Sequence, residues 1–373
     1  MKKLMLAFIL IFLALISGCE KKTEDIKIGV ISELTGPISA FGKRAFNGIE
    51  LATSEINASG GINGRKINLI VEDDQSIPQK AATSAKKLIE INKVSVIVGM
   101  VGSGLGMSVA PIANESKIPL IACGVSTPKY STASDYTFRI RGNSQKEIQI
   151  LAALAFNKYN TRKLAILNVQ NEYGVSYKEV FKKSYVELGG KVIIDESYQS
   201  GSSDFRTQLT KIKNSGVDGI YLVAQGAENG YALKQMKELG IKAKIYATVG
   251  MEVPEAIQTG GSALDGVLYT TTGFDPTVDN ELIRKFNSNY KKKYGENSDL
   301  FSAEGYDALK IVANILTKGT TEPGEIKEEL YKLKDFPGVT GSITFNQFGD
   351  PINRNIFLKT IKNNQYIILE KNP

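Results

Sequence analysis

Short apolar runs rich in β-branched residues alternate with longer amphipathic segments along most of the chain. The first four apolar runs are IKIGVIS, KINLIVEDD, VSVIVG and IPLIAC, and segments of helical periodicity such as PQKAATSAKKLIEI lie between them. After YTFRIRGNSQ the same alternation starts again, with KLAILNV, KVIIDESY and DGIYLVA as its apolar runs. This pattern predicts an α/β protein with two doubly wound parallel sheets, in which ligands bind beyond the carboxyl ends of the strands.

The last third of the chain departs from this alternation. Two helical segments, around Leu282 to Tyr294 and Ala303 to Leu316, precede SITFNQFGD and a final segment, NIFLKTIKNNQYIILE. The final segment has the pattern of a β-hairpin with its turn at Asn363 and Asn364. We expect these pieces to join one of the two earlier sheets.

The third apolar run leads into a glycine-rich turn, VGSGLGMS, which precedes a helical segment. Such a turn lets backbone N–H groups at a helix N-terminus approach an anion. Gly102, Gly104 and Gly106 follow the spacing GxGxG, which differs from the dinucleotide fingerprint GxGxxG, and no Lys-Ser or Lys-Thr pair closes a phosphate loop. The pattern leaves two interpretations open: an anion other than a nucleotide binds there, or the glycines only make a tight turn.

The N-terminus has the pattern of an export signal. Lys2 and Lys3 precede an apolar run from Leu4 to Ile16, which is shorter than the about 20 residues of a membrane-spanning helix. The run ends in LISGC, which resembles the lipobox of bacterial lipoproteins. We therefore expect a signal peptide over residues 1–18, lipid on Cys19, a tether over residues 19–25, and attachment at the extracytoplasmic face of a bacterial membrane.

Composition narrows the chemistry. The 373 residues include no histidine, so the commonest general base and the usual zinc ligand are missing. The two cysteines are Cys19 and Cys123, and lipid on Cys19 would leave Cys123 as a lone thiol. The 46 Lys and Arg residues exceed the 39 Asp and Glu residues only modestly, and the densest cationic run, Lys291 to Lys293, belongs to an amphipathic helical segment. We expect no nucleic-acid binding, metal or cofactor.

Several segments resemble the leucine/isoleucine/valine-binding proteins, the periplasmic-type receptors of ABC importers. They are ISELTGPISAFGKRAFNGIELATSEINASGGINGRKINLIVEDDQSIPQKA, NEYGVSY, DFRTQLTKIKNSGVDGIYL, FSAEGYDALKIVANIL and GSITFNQFGD. The resemblance covers essentially all of the chain after Cys19. It implies a monomeric extracytoplasmic lipoprotein that binds a neutral or branched-chain amino acid between two lobes and delivers it to ABC permease subunits.

The resemblance also implies a type I periplasmic binding protein fold with three crossovers between its lobes. Lobe one is expected to hold residues 26–141 and 273–348, and lobe two residues 143–272 and 349–373. The crossovers then lie near Gly142, Thr271 and Asp350. Closure of such lobes around a ligand is a hinge motion.

Ligand contacts can be carried over from the family residue by residue. The resemblance places the ligand carboxylate at Ser103 in the glycine turn and at Ser126 in ACGVSTP. It places the ligand amine at the carbonyl group of Gly124. A carboxylate at a helix N-terminus also agrees with the direction of the helix dipole.

The remaining expected contacts surround the ligand side chain. By resemblance, Phe41 and Phe301 are aromatic neighbours of that side chain, and Tyr173 and Gln225 are contacts from the second lobe. Each position also has an ordinary structural interpretation, because an aromatic residue at a helix start often packs in the core.

One position departs from the family pattern. Amino-acid-binding relatives have a glutamate that pairs with the ligand ammonium, and Val249 stands at the matching place in KIYATVGME. Glu252 could replace that glutamate only if the loop shifts. Because an unpaired buried charge is costly, the sequence leaves a second ligand class open, a small carboxylate without an amine such as an aromatic or 2-oxo acid.

Two further function classes have less support from the sequence. A sensor subunit of a membrane receptor would share the fold, but the chain shows no signalling domain. A carboxylate-dependent enzyme would need acids such as Asp73 and Asp74, yet this adjacent pair follows a strand, where successive side chains point to opposite faces. We therefore expect a binding protein and not an enzyme.

Overall fold

The computed structural model describes residues 24–373, so the expected signal peptide and Cys19 lie outside the described residues. Its first sheet consists of β1 (Ile26–Ser32), β2 (Ile67–Asp73), β3 (Ile97–Gly99), β4 (Leu120–Ala122) and β5 (Thr137–Arg139). The order across the sheet is β2-β1-β3-β4-β5, and every neighbouring pair is parallel. This is a doubly wound order.

Both faces of the first sheet are buried, which explains why its strands are continuous apolar runs. In β3, Val98 packs into one core and the adjacent Ile97 into another. The helices that follow β1, β2 and β3 are, in order, α1 (Ser39–Ala58), α2 (Pro78–Glu90) and α3 (Ser103–Ser116). α1 contributes to the core of Val98, and α2 and α3 contribute to the core of Ile97.

The second half of the chain repeats this arrangement. Its elements are α4 (Gln145–Ala153), β6 (Lys163–Val169), α5 (Glu172–Glu187), β7 (Lys191–Tyr198), α6 (Arg206–Asn214), β8 (Gly219–Val223), α7 (Ala227–Glu238), β9 (Lys244–Ala247), α8 (Pro254–Gly260) and β10 (Leu268–Thr272). The parallel strands run in the order β7-β6-β8-β9-β10. The predicted fold class is confirmed.

The C-terminal third divides between the two halves. Its elements are α9 (Glu281–Tyr294), α10 (Leu300–Leu316), α11 (Pro323–Tyr331), β11 (Phe336–Gly338), β12 (Gly341–Ile343), β13 (Ile356–Lys362) and β14 (Gln365–Lys371). The three helices share the core of β1 and α1. β13 pairs antiparallel with both β10 and β14, so it extends the second sheet to seven strands.

The predicted C-terminal hairpin is confirmed. Lys362 pairs with Gln365 across its turn. Asn363 and Asn364 have φ angles of 51° and 59°, and a two-residue type I′ turn needs positive φ at both positions.

We call the unit built on β1–β5, with α1–α3, α9–α11, β11 and β12, lobe one. The unit built on β6–β10, β13 and β14, with α4–α8, is lobe two. Three connections join them, between β5 and α4, between β10 and α9, and between β12 and β13. The exact residue boundaries expected for the lobes stay a prediction.

Candidate functional site

A cavity lies between the two lobes. The space between its walls is about 280 Å³, a figure that includes open solvent. The lining residues are Phe41, Val101, Gly124, Ser126, Arg141 and Phe301 from lobe one, and Tyr173, Gln225, Val249 and Gly250 from lobe two. Because both lobes form its wall, a molecule bound there would touch both of them.

Most of the residues expected to contact a ligand line this cavity. The exceptions are Ser103 and Glu252. The agreement concerns position only, and the contacts with a ligand stay a prediction.

The glycine turn after β3 holds a carboxylate of the protein itself. The fully buried Glu33 accepts hydrogen bonds at Oε1 from the N–H groups of Val101 and Gly102, each at 2.8 Å. The next two N–H groups, of Ser103 and Gly104, have no acceptor in the described part of the chain. At this turn, a ligand anion could therefore use only part of the set of N–H groups that the sequence suggested.

The two serines expected at the ligand carboxylate lie at different depths from the cavity. Ser126 lines the cavity, and its Oγ accepts a hydrogen bond from the Tyr177 hydroxyl at 3.2 Å. Ser103 is buried behind the cavity wall, where its Oγ accepts a hydrogen bond from the N–H group of Thr127 at 3.3 Å. Ser126 is thus presented to the cavity, whereas Ser103 supports the backbone beside it.

Two aromatic rings form an apolar wall. Phe41 lies near the start of α1 and Phe301 near the start of α10, and their ring centroids are 4.8 Å apart in an edge-to-face arrangement. A Cβ atom added at Gly226 of lobe two would lie 3.6 Å from the Phe41 ring. Lobe two therefore approaches the aromatic pair closely in this structure.

Lobe two contributes neutral polar groups. The Tyr173 hydroxyl donates a hydrogen bond to Thr248 Oγ1 at 2.6 Å. Burial raises the pKa of Tyr173 far above its usual value, so its hydroxyl stays neutral. Gln225 Oε1 accepts a hydrogen bond from Asn171 Nδ2 at 2.9 Å. These groups can hydrogen-bond a ligand, but they supply no charge.

The position at which the family resemblance expects a partner for a ligand amine is apolar. Val249 lines the cavity, and no carboxylate does so among the described residues. The Glu252 carboxylate is bound elsewhere, because Oε1 accepts hydrogen bonds from the Tyr269 hydroxyl at 2.7 Å and from Lys359 Nζ at 2.5 Å. In this structure Glu252 therefore does not take the place of the missing glutamate.

Arg141 is the charged residue of the cavity wall, and the sequence reasoning missed it. Its Nε and Nη2 donate to the two carboxylate oxygens of Glu304 at 2.8 and 2.9 Å. Its guanidinium carbon lies 4.7 Å from the centre of the Phe301 ring, within the range of a cation–π contact. The available signal was an arginine in TFRIRG, two residues after β5 and next to the first connection between the lobes.

Two buried carboxyl groups accompany Arg141. They belong to Glu304 of α10 and Glu147 of α4. Burial raises the pKa of each to about 7, although the nearby Arg141 charge opposes the rise. Glu147 also accepts a hydrogen bond from the Tyr177 hydroxyl at 3.0 Å, so the one hydroxyl proton of Tyr177 is shared between Glu147 and Ser126.

Other chemistry is not evident in the described residues. Residues 24–373 contain no group of three or more His, Cys, Asp and Glu that could hold a metal ion. No helix in that range is long and apolar enough to cross a membrane. Cys123 is free and fully buried, and burial raises the pKa of its thiol, so it behaves as a small core residue.

Known proteins match nearly the whole described chain. A family model for periplasmic binding proteins matches residues 25–365. The Leu/Ile/Val-binding protein homolog 2 of Brucella abortus is 30% identical over 332 residues, which cover 88% of each chain.

Two solved structures have the same overall fold. A leucine-binding protein from Thermotoga maritima is 29% identical with a TM-score of 0.86, and the match covers 93% of this chain and 98% of that chain. A branched-chain amino acid transporter substrate-binding protein from Streptococcus pneumoniae, in complex with isoleucine, is 29% identical with a TM-score of 0.85 over the same shares of the two chains.

Proposed function

The chain belongs to the periplasmic binding protein family, and from this premise we propose that it captures a small carboxylate-bearing solute between its lobes for delivery to an ABC permease. The observation that carries the proposal is the cavity, whose wall is built by both lobes. A solute in that cavity contacts both lobes and so favours their closed arrangement. A permease can then distinguish the closed, loaded protein from the open one.

One candidate solute is a neutral or branched-chain amino acid. Its support comes from the relatives, which are named for leucine, isoleucine and valine or hold isoleucine. The edge-to-face pair of Phe41 and Phe301 agrees with an apolar ligand side chain. Burial of a leucine-sized side chain contributes about 1.5–3 kcal/mol.

The other candidate is a small carboxylate without an amine, and the cavity supports it better. An ammonium would face Val249, while Glu252 is held by Tyr269 and Lys359. An unpaired buried charge costs several kcal/mol. Micromolar affinity corresponds to only about −8.2 kcal/mol in total, so such a cost would be hard to offset.

The proposed contacts follow from the positions around the cavity. Ser126 would receive the ligand carboxylate, and Ser103, which does not line the cavity, would support the backbone beside it through the N–H group of Thr127. Phe41 and Phe301 would cover the apolar part. The other contacts of the proposal are the carbonyl group of Gly124 and the side chains of Tyr173, Gln225 and Val249.

The proposed location is the extracytoplasmic side of a bacterial membrane. Its support is the segment LISGC, whose Cys19 would carry a lipid, and this segment lies outside the described residues. A lipid on Cys19 would keep the binding domain close to the permease.

A thermal-shift screen tests the proposed function. The mature protein is heated with leucine, isoleucine, phenylalanine, benzoate and 4-methyl-2-oxopentanoate, and at least one of these is expected to raise the melting temperature. A ligand present at a hundred times its Kd adds about 2.7 kcal/mol to the free energy of unfolding.

Two serine variants serve as matched controls for the screen. Ser126→Ala removes a hydroxyl from the cavity wall and should weaken binding of the active compound by about 1–3 kcal/mol. Ser103→Ala should weaken it less, because that hydroxyl lies behind the wall. The proposal fails if no small carboxylate changes the melting temperature of the unaltered protein.

A further inference from the structure

We infer that Arg141 is a specificity-determining residue of the proposed site, where its guanidinium pairs with the ligand carboxylate and selects acids that lack an amine over the corresponding amino acids. This inference rests on the proposed function, because it assigns a chemical class to the solute in the same cavity. It concerns a residue that the resemblance to the family did not point to.

One edge of the Arg141 guanidinium is available to a ligand. Nε and Nη2 are used by Glu304, whereas Nη1 has no hydrogen-bond acceptor among the described residues. The side chain lines the cavity although the residue is only 3% exposed. A nearly buried cation with unused N–H groups offers a strong, charge-assisted hydrogen bond to an anion that enters the cavity.

Arg141 and Ser126 face the same region of the cavity. The Tyr177 hydroxyl lies 3.2 Å from Ser126 Oγ and 3.0 Å from Glu147 Oε1. Burial raises the pKa of both Tyr177 and Glu147, and the Arg141 charge opposes that rise. Because Ser126 and Arg141 line the same cavity, a single carboxylate bound there could contact both of them.

The glycine turn by itself is a weakened anion site. Glu33 Oε1 already accepts hydrogen bonds from the N–H groups of Val101 and Gly102, so neither group is free to bind a ligand anion. Arg141 supplies the positive charge that the turn lacks, which explains why a carboxylate would be held between Ser126 and Arg141.

The same arrangement disfavours an amino acid. Its ammonium would lie in a small cavity with the Arg141 cation in the wall and Val249 at the position of the family glutamate. The Arg141 partner Glu304 lies behind it and is only 1% exposed. The carboxylate that could neutralise an ammonium is thus shielded from the ligand by Arg141.

Calorimetric titration of the mature protein with leucine and with 4-methyl-2-oxopentanoate tests this inference, because the two compounds share one side chain and differ at the amine. We expect the oxo acid to bind about tenfold or more tightly than leucine. Arg141→Gln should weaken binding of the oxo acid by about tenfold or more and reduce the preference for it.

Variants of Glu304 show whether Arg141 contacts the ligand or has a purely structural role. Glu304→Gln removes the charge that offsets Arg141, so binding of the oxo acid should tighten; an arginine that only supports the fold would give weaker binding. In the double variant Arg141→Gln with Glu304→Gln, two neutral side chains replace the Arg141–Glu304 ion pair. If Arg141 contacts the ligand, the double variant stays weak, and if Arg141 only balances Glu304, the double variant regains the original affinity.

The outcomes also distinguish this inference from the proposed function. Tighter binding of leucine than of the oxo acid, or recovery of oxo-acid affinity in the double variant, overturns the role of Arg141 and leaves a carboxylate-binding receptor in place. If no small carboxylate binds the unaltered protein, both proposals fail. If Arg141→Gln alone does not fold, the double variant, in which both partners are neutral, still tests whether Arg141 contacts the ligand.

Discussion

Two carboxyl groups beside the glycine turn each leave one oxygen buried without a hydrogen bond to the described residues. These atoms are Glu33 Oε2 and Asp74 Oδ2. Burial, and then the neighbouring Glu33 charge, raise the pKa of Asp74 to about 8. The neighbouring Asp73 differs. Burial also raises the pKa of Asp73, but hydrogen bonds, led by the one from Thr35, outweigh this effect and lower its pKa below the usual value. Adjacent residues thus respond to pH in opposite directions.

The raised pKa of Asp74 predicts that the protein loses stability as the pH rises from acidic values to about 8. Its neutral form contributes stability that is complete below the unfolded-state pKa of about 3.9 and is lost as the pH rises through the folded-state value. Asp74→Asn keeps a neutral side chain, so its melting temperature should fall less than that of the unaltered protein between about pH 5 and pH 9. Differential scanning calorimetry across this range measures the effect.

Asp73→Asn is the matched control for Asp74→Asn. Because the pKa of Asp73 is lowered, its ionised form stabilises the fold and the substitution should reduce stability at neutral pH. Equal pH slopes for Asp74→Asn and the unaltered protein would show that Asp74 is already ionised in the folded state.

At the scale of elements, the contact between α1 and α10 positions the aromatic wall of the cavity. Gly48 of α1 faces the backbone of Ser302, and Gly305 of α10 faces the backbone of Ala45, so a Cβ atom at either glycine would collide with a carbonyl oxygen. The two helices therefore approach more closely than residues with side chains would allow. Phe41 and Phe301 lie at the N-terminal ends of these same helices.

Gly305→Ala is predicted to separate these helices. Overpacking of this kind reduces the free energy of unfolding by about 1–3 kcal/mol. The shift should also weaken solute binding, because it displaces Phe301 relative to Phe41. Urea denaturation gives the stability, and calorimetric titration with the compound found in the screen gives the affinity.

Gly324→Ala provides the control for this substitution, since Gly324 lies in α11 with no atom near its added Cβ position. Alanine in a helix is more favourable than glycine by about 0.5–1 kcal/mol. We therefore expect this control to be neutral or slightly stabilising, with unchanged binding. Similar losses of stability and affinity in Gly305→Ala and Gly324→Ala would contradict the explanation by close helix packing.

At the scale of the whole molecule, the structure shows contacts that join the lobes across the mouth of the cavity. Glu172, the first residue of α5, accepts a hydrogen bond from Thr127 Oγ1 at 3.2 Å and lies 3.2 Å from Lys129 Nζ. At the connections, the buried Arg139 binds Asp350 at 2.6 Å. The first set of contacts joins the two lobes in this structure, and the second lies where the chain crosses between them.

Solute binding is predicted to close the lobes and reduce the radius of gyration. Glu172→Gln removes the charge that meets Lys129 at the mouth, so it should favour the open arrangement and raise the Kd. The pair is partly exposed and contributes at most about 1 kcal/mol, so the change should be less than about fivefold and should shrink at high salt. Small-angle scattering with and without the active solute, combined with titration at two salt concentrations, measures both effects.

Glu370→Gln is the control for the mouth contact, because Glu370 pairs with Lys158 at 2.6 Å inside lobe two. This variant should leave both the scattering profile and the affinity unchanged. A radius of gyration that stays constant on saturation would contradict a hinge mechanism for this protein.

Local order along the chain was predictable from the sequence. Alternation of strand and helix patterns predicted both doubly wound sheets, and Asn363 with Asn364 predicted the C-terminal hairpin. The exposed run from Lys291 to Lys293 on α9 was also evident from its helical periodicity. The helix and strand periodicities and the hairpin turn depend on residues within one or two turns of each other, so near neighbours in the sequence are enough to determine them.

The charges of the site were decided only by tertiary structure. Arg141 meets Glu304 across 163 positions of the chain, Glu252 meets Lys359 across 107, and Glu33 reaches the N–H group of Val101 across 68. The sequence showed that Val249 lacks the family's carboxylate, but it could not show that Glu252 is bound elsewhere or that an arginine enters the wall. A charge takes whichever partner the packed lobes bring within hydrogen-bond distance, and burial makes that choice energetically decisive.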